Sequence, residues 1–208
     1  MPNSFTAPLR DRPVQRLTRC VLGLAMFGCG IGLLVRVHLG LAPWDVFHQG
    51  LSEHINLPIG RTIVITSFFV LLLWIPLSQP IGVGTLLNAV VIGVSVDIVM
   101  RFVPEPHGLV VRSLLMLLGI LITAIGSGLY IGAGLGAGPR DGLMMGLGLK
   151  GYKISRARTF IEVTMLILGW LLGGQVGVGT VLFAVLIGPL VARFLPLLKM
   201  PSSDMPQA

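Results

Sequence analysis

The sequence predicts an all-α fold: a polytopic membrane helical bundle of about six transmembrane spans, arranged as two inverted three-span repeats. Each repeat carries a short broken or re-entrant helix. Three observations carry this expectation: an apolar composition, a motif that recurs at a fixed offset, and a lopsided distribution of basic residues. Hydrophobic residues make up 54% of the chain and charged residues 11%. The mean hydropathy is +0.91. A soluble domain carries roughly a quarter charged residues, and only a bilayer demands repeated apolar runs of about 20 residues.

The repeat is read directly from the residues. Gly30, Gly32, Leu33, Leu39, Gly40, Pro43 and Asp45 recur 96 positions later as Gly126, Gly128, Leu129, Leu135, Gly136, Pro139 and Asp141. Gly50-Leu51 meets Gly146-Leu147; one deletion later, at an offset of 95, Arg61 meets Arg156. Gly82-Val83-Gly84-Thr85 then meets Gly177-Val178-Gly179-Thr180, and Gly93 meets Gly188. The organisation that follows is a tail over 1–15, a first repeat over 16–106, a second over 107–198 and a tail over 199–208.

Taken in order, residues 1–15 are polar and proline-containing and read as a cytoplasmic tail. The first span runs from Arg16 to Val37; without a small-residue cleavage site it reads as an uncleaved span, not a signal peptide. Residues 44–54 are too short and polar to cross and read as an interfacial or re-entrant helix. The second span covers Ile59 to Leu77 and the third Gly82 to Val103, each closed by prolines. The second repeat gives spans at Leu109–Gly132, Ile154–Leu172 and Val176–Leu195, with a short helix at 140–149. Cys20 and Cys29, nine residues apart in one helix, point to opposite sides and are assigned to packing.

Three spans per repeat invert the second copy relative to the first. The basic residues agree. With the N-terminus inside, Arg10, Arg12, Arg16, Arg19, Arg140, Lys150, Lys153, Arg156, Arg158, Arg193 and Lys199 are cytoplasmic. Only Arg36, Arg61, Arg101 and Arg112 lie outside, which accounts for all 15. The positive-inside rule therefore places both termini in the cytoplasm. The net charge of +7 sits in these short loops, so nucleic acid is not an expected partner.

The chemistry concentrates at the repeated joint. Pro43 and Pro139 suit the first helical turn, where the missing N–H is not needed. Asp45 and Asp141 then fall where the macrodipole favours a carboxylate, and the preceding glycines permit a tight break. Matching broken segments in inverted repeats point to a solute site. The candidate binding or gating residues are Pro43, Trp44, Asp45, Arg61, Asn88, Pro139, Arg140, Asp141 and Arg156. Two ion pairs are expected, Asp45–Arg61 and Asp141–Arg156, one at each membrane face. Asp97–Arg101 and Arg158–Glu162 have helical pair spacing. Asp45 and His48 share a helix face, but His38, His48, Glu53 and His54 read as a wet loop more readily than as a metal site. No catalytic residues, metal ligands or cofactors are expected, because no nucleophile–base set, phosphate loop or dinucleotide fingerprint is present.

Leu41-Ala42-Pro43-Trp44-Asp45-Val46, Gly50-Leu51, Ile59-Gly60, Ile81-Gly82-Val83-Gly84-Thr85, Gly136 to Asp141 and Gly177 to Thr180 together resemble the YczE-like branch of the bacterial YitT/YczE membrane proteins. The resemblance covers about 16 to 196. It implies a multi-pass protein of the bacterial cytoplasmic membrane. A family member's link to control of antibiotic production implies an accessory role. The expected function is a small-solute transporter or channel-like protein, not an enzyme, whose partners are the lipid bilayer, an unidentified small solute and, compatibly, a second copy as homodimer. The alternative is a non-transporting regulator or assembly partner, for example of secondary metabolism.

Overall fold

The computed structural model describes residues 11–200, and the regular structure among them is helical. The elements are α1 Pro13–Val37, α2 Pro43–Ile55, α3 Ile59–Leu72, α4 Trp74–Leu77, α5 Val83–Phe102, α6 Leu109–Gly132, α7 Pro139–Leu149, α8 Ile154–Leu171 and α9 Val178–Leu198. Four of these, α1, α5, α6 and α9, are each long and apolar enough to cross a membrane; α2 and α3, bent by 109° at their junction, make a fifth if counted as one span. The tails expected over 1–15 and 199–208 lie largely outside the described residues, and α1 already begins at Pro13.

The core forms around α1 and α6, which run antiparallel. Gly23 lies against Gly126, and Gly30 against Gly119, so the two backbones touch where a side chain would hold them apart. α5 runs parallel to α1, with Gly28 on Ile92 and Gly32 on Val99; α9 runs parallel to α6, with Gly128 on Phe194 and Gly132 on Leu198. Leu24, Ile31 and Leu34 of α1, Ile92 and Val96 of α5, and Ile120 and Tyr130 of α6 fill the interior. The outer surface is also apolar: Phe68, Phe69, Phe102, Leu114, Phe160, Trp170 and Val181 are all exposed. So extensive an apolar surface is a liability in water and the proper surface against acyl chains.

The two halves make many of the same contacts reciprocally, but one close crossing has no counterpart. α2 packs on the end of α8 (Gly50 on Gly169 and Leu172), and α7 packs on α4 at the matching residues (Gly146 on Leu77). α3 crosses α5 closely: the backbones of Gly60 and Gly93 abut, and the Gly60 N–H donates to Asp97 Oδ1 at 2.8 Å. The corresponding helices α8 and α9 stand apart. Gly188, at the position of Gly93, has nothing within 4 Å of where a Cβ would be. Only Gly179 and Thr180 of α9 are buried.

The sequence explains part of this difference. The span expected over Ile59–Leu77 is broken at Leu73 between α3 and α4. Pro76 supplies no N–H, and its ring opposes the carbonyl four residues earlier, at Leu72. The matching residue in α8 is Leu171, and α8 runs unbroken.

A candidate solute site where two helix starts meet

Each joint is an extended strand of chain that leads from a long helix to a short one. After α1, Gly40 has φ 109, and after α6, Gly136 has φ 126, a backbone region closed to most side chains. Ala42 and Gly138 are extended N-caps, and Pro43 and Pro139 open α2 and α7. Each joint is pinned by the other half of the chain. Gly179 N donates to Leu39 O at 2.7 Å, and Gly84 N donates to Leu135 O at 2.9 Å. Thr180 and Thr85 turn their hydroxyls to the N–H of Gly177 and Gly82, each at 3.2 Å. The Gly-Val-Gly-Thr motif is therefore the seat on which the opposite joint rests.

A second reciprocal pair fastens the helix ends. Arg16 Nη1 donates to Ala133 O at 3.0 Å, and Arg112 Nε donates to Val37 O at 2.6 Å. A cation on an orphan carbonyl at a helix C-terminus is favourable on both counts. Arg16 and Arg112 are also 96 residues apart. The repeat register extended backwards from Gly30 carries this signal, which is masked because basic residues near span ends also read as orientation signals.

The starts of α2 and α7 converge on a cavity of about 550 Å³. Its lining includes residues 42–45 and 138–141 of the joints, with Phe27, Ile92 and Ser127 from within the long helices. Arg140 Nη2 lies 3.0 Å from Asp45 Oδ1 and 3.4 Å from His48 Nδ1, and the two latter atoms are 3.4 Å apart. The guanidinium also sits over the Trp44 ring, 5.3 Å from its centroid, a cation–π contact. Trp44 and Arg140 occupy the same repeat position. Asp45 and His48 are almost completely buried, so this ion pair is inside the protein. Trp44 is 5% exposed, and its indole N–H has no acceptor among the described residues. Asp141, by contrast, is exposed and accepts the Tyr130 hydroxyl at 2.8 Å. The Trp74 indole donates to Pro139 O at 3.0 Å and holds the start of α7 in place.

The structure thus brings together Pro43, Trp44, Asp45, Asn88, Pro139, Arg140 and Asp141, all of which line the cavity. It does not bring in Arg61 or Arg156, which are exposed. The expected Asp45–Arg61 and Asp141–Arg156 pairs are corrected: Asp45 pairs with Arg140 of the opposite joint, and Asp141 with Tyr130. The reason is geometric, since the two joints dip towards each other and do not stay at separate faces. Asp97 takes the Gly60 N–H in place of Arg101. Arg158–Glu162 forms as expected, at 3.0 Å, and also lines the cavity. His48 is not in a wet loop but packed between Asp45, Trp44 and Phe47.

Long apolar helices with a charged, buried junction between two broken segments define a helical membrane protein. The chain belongs to the family of unknown function DUF6198, whose model matches residues 14–196. It is similar to an uncharacterized protein of Haemophilus influenzae, 42% identical over 176 residues, covering 84% of this chain and 81% of that one. It is also similar to the uncharacterized membrane protein YczE of Bacillus subtilis, 35% identical over 189 residues (89% and 87% covered). The uncharacterized protein YyaS of the same organism is 27% identical over 184 residues (86% and 91% covered). No solved structure matches.

Proposed function

We propose that this chain is a small-solute transport protein of the bacterial inner membrane, and that the cavity between the two helix starts is its solute site. In this reading the chain is two inverted three-span units: α1, α3–α4 and α5, then α6, α8 and α9. α8 serves as a span although Arg156, Arg158 and Glu162 lower its hydropathy: Arg158 and Glu162 face the cavity, and Arg156 lies in the first turn, near the helix end. The antiparallel course of α1 and α6 supports the inversion, and so do the reciprocal seats of the joints. The basic residues support cytoplasmic termini.

The observation that carries the reading is a cavity lined by both joints, with the Asp45–Arg140 pair in its wall. Non-helical backbone inside a membrane is tolerated where it faces such a cavity, and ionisable groups there mark solute or ion paths. The volume suits a small organic molecule. The lining carries Asp45, Asp141 and Glu162 against Arg140 and Arg158. Asp45 is matched to Arg140 and Glu162 to Arg158, which leaves Asp141 with a neutral hydroxyl. The positive helix starts are likewise already served by their own first-turn aspartates. A solute with a cationic group completes this arrangement.

Thermal unfolding of the purified protein against small amines, amino acids and carboxylates tests it. Ligands that bind only the folded state raise the unfolding midpoint. Amines or zwitterions are expected to raise it by several degrees and to enter proteoliposomes, and Asp141→Asn is expected to abolish both effects. Carboxylates alone should do neither. If no cationic solute shifts the midpoint or enters vesicles faster than protein-free controls, the transport reading fails.

A further inference from the structure

We propose that α8 and α9 are the moving gate of the cavity, closing on each other at Gly188, and that α3 and α5 are its fixed wall. The proposal rests on the transport reading for its purpose but not for its geometry. The α1–α5 packing, the seats of the two joints and the arginine clasps each have a counterpart in the opposite half, whereas the α3–α5 crossing has none. In the first half, Gly60 and Gly93 let the two backbones touch, with Val64 against Gly93. The matching residues are Ser155, Gly188 and Thr159. All are small, yet they do not meet. Gly188 faces open space, so nothing in this arrangement requires a glycine there. Ser155 and Thr159 lie in a shallow groove lined by α8 residues alone. Ser155 and Thr159, at one edge of that groove, match Gly60 and Val64, the residues that α3 sets against Gly93. The α9 residue that matches their partner is Gly188.

Two differences between the halves decide which pair moves. Asp97 holds the start of α3 through the Gly60 N–H, whereas its counterpart is Ala192, which cannot form that bond. α9 also contains Pro189 in its interior, directly after Gly188. A proline there removes a helical hydrogen bond and provides a bend, and α5 has Val94 at that place. The wall is therefore latched and free of proline at its crossing, while the gate is unlatched and carries a proline there. Arg158 and Glu162 on α8, and Ile187, Val191 and Ala192 on α9, line the cavity beside the gap between the two helices. Closing α8 onto α9 would seal that side.

The test is a cysteine pair, Thr159→Cys with Gly188→Cys, in membranes. A disulfide needs Cβ atoms about 3.5–4.5 Å apart, and no atom of another helix lies within 4 Å of the Gly188 Cβ position in the open arrangement. Oxidant is expected to cross-link the double variant and neither single variant. The cross-link is expected to slow, at least tenfold, maleimide labelling of a third cysteine placed at Ser127 in the cavity. Gly188→Phe is the second arm: it should fold with an unchanged unfolding midpoint but keep Ser127→Cys labelling fast under all conditions. Absence of the cross-link, or a cross-link that leaves cavity labelling unchanged, overturns the gate. Neither readout needs a solute, so failure of the transport reading is distinguishable from failure of the gate.

Discussion

Replacing Arg140 by methionine is expected to be among the most destabilising single changes in this protein. Asp45 is 1% exposed, and Arg140 is its only full positive charge among the described residues. His48 contacts the same carboxylate oxygen. Removing one partner of a buried pair leaves an uncompensated charge and costs about 3–5 kcal/mol. The reverse change, Asp45→Asn, should cost less, because the Arg140 side chain is 25% exposed and reaches the cavity. The double change Arg140→Met with Asp45→Leu should recover most of the loss, since apolar replacement of a whole buried pair is often neutral. Arg61→Gln, by contrast, should stay within about 0.5 kcal/mol, as an exposed surface change. Unfolding in detergent across these variants provides the measurement. Equal losses for Arg61 and Arg140 would contradict the pairing.

The second large effect lies at the helix crossing. A methyl group on Gly93 would run into the Gly60 carbonyl oxygen, and one on Gly60 into that of Gly93. Backbone cannot swing aside as a side chain does, so either alanine substitution should reach or exceed the upper end of the about 1–3 kcal/mol typical of overpacking. Gly188→Ala meets nothing and replaces a helix-interior glycine, so it should be neutral or stabilising by up to about 1 kcal/mol. Two glycines at one repeat position thus separate sharply in a thermal unfolding experiment. A similar loss at both would mean that α8 and α9 are already packed together.

Much of the fold was legible because membrane helices announce themselves by length and apolarity, and because the repeat fixed equivalent positions. The starts at Pro43 and Pro139 came from proline and aspartate chemistry alone. The i,i+4 pair Arg158–Glu162 was legible, but the pairing of charges at the joints was not. Asp45 and Arg61 sit within one repeat, and sequence proximity suggested a local bond. The partner is instead set by how deeply two extended segments dip, which depends on their seats at Gly177–Thr180 and Gly82–Thr85. The break at Leu73 was not legible because a proline marks the end of a helix only approximately, and the ring of Pro76 acts a full turn before it. The α8–α9 gap was invisible for a further reason. Gly188 matches Gly93 in identity, and identity predicts that a contact is allowed, not that it is made.

The central claim is that the two halves are inverted, so that the ends of α2 and α7 open to opposite sides. Glu53, near the end of α2, and Tyr152, just after α7, are both exposed reporters of those sides. Single Glu53→Cys and Tyr152→Cys variants, treated with a membrane-impermeant maleimide in intact and then permeabilised spheroplasts, measure this directly. Glu53→Cys is expected to label in intact spheroplasts and Tyr152→Cys only after permeabilisation. Labelling of both from the same side would contradict the inverted arrangement.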